Sequence, residues 1–523
     1  MAKLIKTKTK KITMNFPAII AGLWTFCMLV IQPLIVNAGY RDILFFKYGF
    51  FLVSSGIMLG LIILYELFSR NFFKGWFNKL NAVDIFMIGF GGISIISTIL
   101  AYPYTYAAFF GNEGRYCGML FLVLVVMDYF AVSRNLLNGE KYIKYFTLAS
   151  VLVALWAITD YWDMDIFGFK FGIDENHYAI FSSSMGNIDT LTGYLAVPLG
   201  LTGIMFSFKE KIWQAALYWI SFAVVAVAMI TSVADNAYLG FMAFFAIAPF
   251  FTWKTHRGFR RYFVLLATFI TALALVNYWN IEYEGLVIFQ DSLLNNIVAM
   301  PFFRFWHIAL WAVATIIYAV DLLTKTKPET LMPKGWTWAW TAAVALVVIA
   351  FVYLFVRANS EESYVPAALE GLRSILTFND EWGTFRGYIW RASLENYAKY
   401  PIHHILFGTG PETMSIYMWN WKFNEMVSAT QLRFDTPHNE WLQMFITIGP
   451  LGFIAYMGTY ISPLVLSWKN RLKKTYPYML AISIACLGHL VESFTNIMVP
   501  IDMPTVYGLM IVAGALFRRC DEA

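Results

Sequence analysis

His438 has the surroundings best suited to acid–base chemistry on a hydroxyl. It lies in DTPHNEW (435–441), where an apolar run begins near residue 439. Thr436 and Pro437 read as a helix N-cap and a first helical residue. That puts His438 in the first turn, where the partial positive charge of the helix end disfavours imidazolium. An imidazole kept neutral can take a proton from a hydroxyl. The same spacing fits an interfacial polar residue that completes a helix cap, and on spacing alone that plainer reading is the commoner one. Four arginines bring a second chemistry: Arg115 in GNEGRYCG, Arg304 in PFFRFWHI, and Arg386 and Arg391 in TFRGYIWRASLENYAKYP. Guanidinium forks match phosphate oxygens through paired hydrogen bonds. Any one of them is as easily a snorkelling side chain or the partner of a nearby carboxylate; several together tilt the reading toward an anion site.

The elements that must position these residues are membrane spans. The 523-residue chain is 59% hydrophobic, 18% aromatic and 14% charged, and apolar runs of about 20 residues recur along it. The fold class read from this is an all-α, polytopic transmembrane helical bundle. Fourteen spans are expected, near 17–37, 43–68, 82–101, 116–133, 145–162, 188–208, 212–231, 237–253, 262–281, 304–323, 336–356, 439–467, 477–492 and 503–517. Lys and Arg gather on alternate connections, which sets both termini in the cytoplasm. The net charge of +5 reflects that asymmetry, not nucleic-acid binding. The N-terminal lysines and the apolar run from Pro17 read as an uncleaved first span. The four cysteines have no zinc or redox spacing.

One connection is much longer than the rest. Residues 357–438 form a large outer loop on a single membrane domain, 1–523, and long loops on a rigid scaffold often carry function. Within it, YVPAALEGLRSILTF suits an amphipathic helix. Arg386, Trp390 and Leu394 fall on one helical face, and Pro401 stops that helix. Asp163 and Asp165 form a DxD pattern too weak to imply a metal, so neither metal nor cofactor is expected. Asp128 and Glu66 read as snorkelling carboxylates beside Arg134 and Arg70, and Lys47 is ambiguous.

These residues resemble the O-antigen ligase and polymerase superfamily of bacterial membrane glycosyltransferases. The loop has Arg386-(three residues)-Trp390, Pro401, FGTGPE (407–412) and His438-Asn439 leading into IGPLG (448–452), in the family's order. MGNIDTLTGYLAVPL (185–199) looks like its Gly-Asn segment, TSVADNAYLGF (231–241) stands where its Ser-Arg-Gly hairpin falls, and GNEGRYCGML (111–120) is similar to its outer Gly-Arg segment. Asp235 departs from the pattern, standing where many members have arginine. The resemblance implies a GT-C-like enzyme without metal or cofactor. Its donor would be a glycan on undecaprenyl pyrophosphate and its acceptor a hydroxyl of glycan, lipid or protein at the outer face of the cytoplasmic membrane. It further implies His438 as base, with Arg115, Arg304, Arg386, Arg391, Trp390 and Asn439 around pyrophosphate and sugar.

Two rivals remain. A polymerase would extend the glycan on its lipid, whereas a ligase moves it to another molecule. A flippase would bind the same pyrophosphate in transit, but an internal two-fold repeat is its usual mark, and none is evident.

Overall fold

Residues 15–37, 39–69, 75–288 and 305–522 are described by the computed structural model. The longer helices in chain order are α1 Phe16–Leu34, α2 Ile43–Phe68, α3 Ala82–Leu100, α4 Met119–Asn135, α5 Glu140–Tyr161, α6 Ile188–Phe208, α7 Ile212–Thr231, α8 Ala237–Thr252 and α9 His256–Glu282. They continue with α10 Trp306–Leu323, α11 Lys334–Ala358, α12 Trp382–Tyr397, α13 Ile402–Phe407, α14 Met414–Thr430, α15 Glu440–Thr447, α16 Gly449–Lys469, α17 Tyr476–Glu492 and α18 Met503–Glu522. The protein is all-helical; among the described residues the strands amount to one hairpin, Phe181–Ser182 against Gly186–Asn187. Among the described residues, eleven helices are long and apolar enough to cross a membrane. The other three expected spans are also helical, as α4, α8 and α18, but each misses that standard.

Helix α6 lies at the centre of the bundle and is buried along almost its whole length. Its small residues permit this, because close helix approach in an apolar medium depends on them. A Cβ on Gly200 would lie 3.0 Å from the Ala485 backbone, and one on Gly193 would lie 2.8 Å from the Glu492 carboxylate. Helix α17 therefore packs tightly along α6, with α7 and α8 beside it. At one end of the bundle the buried Asp84 ties three helices together. It accepts from the Arg134 and Arg518 guanidinium groups (3.0 and 2.9 Å) and from the Tyr129 hydroxyl (2.7 Å). Arg134 is thus the partner of Asp84, not of Asp128. Asp128 is buried and accepts from the Ser55 hydroxyl at 2.6 Å, so it does not snorkel. Lys47 is likewise buried, donating to the Gln32 and Pro33 carbonyls. Glu66 accepts from the Trp76 indole; Arg70 and Arg304 lie outside the described residues.

Between α11 and α15 the chain is a set of short helices. The expected amphipathic helix over 364–378 is instead a 3-10 turn, Ala367–Leu372, followed by one helical turn, Arg373–Leu376. Helix α12 packs on α14, and α13 packs on α3 and α16. The expected span 439–467 breaks into α15 and α16 at Gly449, whose φ of +69° is a conformation glycine adopts without steric cost. The FGTGPE turn lies on that break. Gly410 N–H donates to the Thr447 carbonyl (2.9 Å), and a Cβ on Gly408 would meet the same oxygen at 2.2 Å. Asp165 uses its carboxylate on the Phe169 and Lys170 amides of its own loop.

Candidate functional site

The site is built around the backbone at Pro437 and His438. His438 has φ +48°, so it does not lie in a helical turn. Its N–H donates to the Thr436 hydroxyl at 3.3 Å, a local turn in which threonine serves as acceptor, not as helix cap. The cap is Asn439, whose side-chain oxygen accepts from the Leu442 amide at 2.9 Å and starts α15. Asn439 thus spends one acceptor position on the helix start, which anchors the residue before it.

Trp390 completes the clamp. Its indole N–H donates to the Pro437 carbonyl at 2.8 Å. The ring packs edgewise or tilted against Trp382 and Phe494 at centroid distances of 5.2 and 5.3 Å. Trp390 thus fixes His438 through the backbone, and among the described residues its ring packs on other aromatics, not on the Arg386 guanidinium. Trp390→Phe keeps an aromatic in place but leaves a carbonyl without its donor. A misplacement of about 1 Å can cost about a hundredfold in rate. The expected result is kcat reduced by up to about that factor with KM nearly unchanged, measured as donor turnover; a change confined to KM would mean that Trp390 touches substrate directly.

Arg386 opens the regular part of α12, after three successive residues with positive φ, Gly383 to Phe385. The neighbouring Gly387 is required there, because a Cβ would lie 1.8 Å from the Asn379 carbonyl oxygen. The Arg386 guanidinium is loosely held. It reaches the Gly383 carbonyl at 3.4 Å and Asp189 at 4.0 Å, and its Nε is buried without a hydrogen-bond partner among the described residues. Such a donor is costly to leave unmade.

Arg115 comes from the turn 111–118, closed so tightly that a Cβ on Gly118 would lie 2.2 Å from the Gly111 nitrogen. Its guanidinium forks onto Asp435 at 2.9 and 3.0 Å, which ties it to the His438 segment. Arg115 and Arg386 act together on His438. Burial first, then the two cations, pushes the imidazole down to about 4, with Asp435 opposing. The ring is neutral at ordinary pH for these reasons and not because of a helix end. Glu412 in the FGTGPE turn is buried, and burial pushes its carboxyl up to about 7 against the pull of Arg115.

Arg391 is directed elsewhere. It lies five residues beyond Arg386, about 140° around the helix. It forks onto Asp380 at 3.0 and 2.6 Å and reaches Glu395 at 2.7 Å. The structure brings together Arg115, Arg386, Trp390, His438 and Asn439; Arg391 belongs to a surface ion-pair network.

Beside Arg386 is a polar cluster whose members Asp189, Glu492 and Asn496 no local motif in the sequence marks as a group. Asn187 caps α6 and presents Asp189, whose carbonyl accepts from Asn496 at 2.8 Å. Asn496 also donates to Glu492 at 3.0 Å, and Thr192 donates to Asn236 at 2.7 Å. A carboxylate in the apolar run HLVESF was the available signal, since ionisable residues inside spans are costly and usually functional. Among the described residues no group of three or more His, Cys, Asp or Glu side chains forms a metal site.

The structure thus gathers a histidine of lowered proton affinity and two arginines within a polytopic helical protein. Residues 297–457 match the family model described as O-antigen ligase, which supports the resemblance to that superfamily. The family supports a glycan-transferring membrane protein. The match spans α10 to the first part of α16 and includes Arg386, Trp390, His438 and Asn439. No curated protein matches the chain.

Proposed function

We propose that the protein is a membrane glycosyltransferase of the ligase type. It would transfer an oligo- or polysaccharide from undecaprenyl pyrophosphate to an acceptor hydroxyl at the outer face of the cytoplasmic membrane. The observation that carries this reading is the juxtaposition of Arg386, with an unsatisfied buried donor, and His438, held neutral by burial and by that same arginine. In the transfer, the acceptor oxygen attacks the anomeric carbon and the bond to pyrophosphate breaks, its electron pair leaving with the phosphate. Negative charge grows on the leaving group, where fixed cations stabilise it without reorganisation. Arg386 supplies that charge, and Arg115 does so to the extent that Asp435 yields it. Arg304 is proposed as a third cation on sequence grounds. His438 takes the acceptor proton.

The orientation is supported by the charge asymmetry of the connections, which assigns 357–438 to the outer side. No metal enters this chemistry. The test is turnover of an undecaprenyl-pyrophosphate glycan by the purified protein in liposomes with excess chelator. Donor consumption with release of undecaprenyl pyrophosphate is expected. Binding and movement of intact donor across the bilayer, without cleavage, would instead favour a flippase.

A further inference from the structure

We propose that the cleft between the start of α9 and the end of α10 binds the phosphate headgroup of an anionic phospholipid. The cleft has a volume of about 600 Å³ and is lined by Arg260, Tyr318, Leu322, Lys325 and Lys327, among others. It lies at the other end of α9 and α10 from the segment leading to Arg304, and it shares no residue with the site around His438.

The charges in and around the cleft do not cancel. Asp321 is the carboxylate that lines it, and it is buried and already engaged by His256 Nδ1 at 2.8 Å and by Arg260 at 3.5 Å. Glu329 and Glu210 stand close by, and both are taken by Arg257. Arg260 lies over the Tyr318 ring, 4.5 Å from its centroid, which fixes the guanidinium at the cleft wall. Lys325 and Lys327 are exposed and have no carboxylate partner among the described residues. Three cations therefore face the cleft against a single carboxylate, which Arg260 already engages, so the charges of Lys325 and Lys327 are left over.

The lysines are carried on a fixed backbone. The strap 324–333 is fastened to the start of α9 by His256 N–H to the Thr330 carbonyl (3.0 Å), Arg257 N–H to Pro328 (2.9 Å) and Met332 N–H to Lys254 (3.1 Å). A preorganised cationic cleft loses little freedom when it takes a ligand. Beyond the cations the surface becomes apolar. Ile316, Val320 and Leu323 are all more than half exposed on a helix apolar enough to span the membrane. A phosphate at the cations would thus sit where its acyl chains run down α10. Basic pockets between helices on the cytoplasmic side are suited to such headgroups. Free phosphate has the same charge but not the chains; phosphatidylcholine has the chains, but its own ammonium offsets the charge.

The experiment measures thermal unfolding of the full-length protein in a neutral detergent. It is titrated separately with phosphatidylglycerol, phosphatidylcholine and inorganic phosphate. A ligand that binds only the folded state raises the midpoint with its concentration. Phosphatidylglycerol is expected to raise it; the other two are not. Lys325→Gln combined with Lys327→Gln should weaken the apparent phosphatidylglycerol affinity by about thirtyfold, from roughly fivefold for each lysine near an anionic surface. Lys144→Gln, another exposed lysine, should leave it unchanged. Both cleft lysines are solvent-exposed, so the double variant should fold, and its unfolding midpoint without lipid verifies this. An unaltered response in the double variant, an equal effect of phosphatidylcholine, or full reproduction by inorganic phosphate would overturn the proposal.

Discussion

His438→Ala should lose about a hundred- to ten-thousandfold of donor turnover, the usual contribution of a general base. Binding of the lipid-linked donor should survive, because Arg386 and the apolar surfaces remain. His438→Gln should be no better, since an amide cannot take a proton at neutral pH. The pH profile gives a sharper readout. In the free protein, burial and the two arginines push the ring down to about 4. A base must be unprotonated to act, so the acid limb of kcat/KM should fall near that value and not near the ordinary histidine value of about 6.5. Bound pyrophosphate offsets the arginine charge, which raises the proton affinity of the ring. The acid limb of kcat should therefore lie at higher pH than that of kcat/KM. The stability dependence has a definite sign too. The folded ring binds its proton less readily than the unfolded one, so the folded state loses stability as pH falls from about 6.5 towards 4 and is unaffected above that window. Turnover by His438→Ala equal to wild type would remove His438 from the chemistry. His404 is the internal comparison: it is buried, and its Nδ1 lies 2.9 Å from the Gly408 carbonyl. Its alanine variant should lose stability before it loses chemistry.

The helices were legible where a run of about 20 apolar residues has no soluble alternative, and all thirteen expected spans that begin within the described residues are helical. The errors arose where a distant partner decides local geometry. Thr436-Pro437 has the composition of a helix start, yet the Trp390 indole, 47 residues away in sequence, holds the Pro437 carbonyl, and the helix begins after His438. Arg391 looked as free as Arg386 because nothing local marks Asp380, eleven residues earlier, as its partner. Asp128 was paired with Arg134 by proximity along one helix, whereas Asp84 from a neighbouring helix holds that arginine more closely. Asp189 and Asn496 meet across 307 residues, and no spacing rule reaches that far. The His-Asn pair and the Arg386–Trp390 spacing were readable because both partners of each feature lie within one turn of chain. The role of each residue was not, because it depends on which loop folds over which helix end.

Arg386 carries the second large effect. Its guanidinium has only a long pairing, 4.0 Å to Asp189, in contrast to Arg115 on Asp435 and Arg391 on Asp380. It is therefore the cation that can turn to a substrate at the least cost in ion pairing. Removing a preorganised donor from developing negative charge costs about a hundred- to a thousandfold in kcat. Arg386→Gln should lose at least that much. Arg386→Lys keeps the charge but not the planar fork, so if the group grips pyrophosphate through paired hydrogen bonds, the lysine variant should recover little of the rate. A second consequence separates this role from simple packing. Arg386 is the first of the two cations that depress the His438 proton affinity. Arg386→Gln should move the acid limb of kcat/KM upward, towards the ordinary histidine range, and Arg386→Lys should largely leave it where it is. Arg391→Gln should do neither, because its charge is spent on Asp380 and Glu395 at an exposed surface, where such pairs contribute about 1 kcal/mol or less. Near-normal turnover in Arg386→Lys would reduce Arg386 to a point charge. An unmoved acid limb in Arg386→Gln, with turnover still lost, would mean that the arginine holds the donor without acting on the base. Loss of activity in Arg391→Gln equal to that in Arg386→Gln would shift the phosphate site to the opposite face of α12.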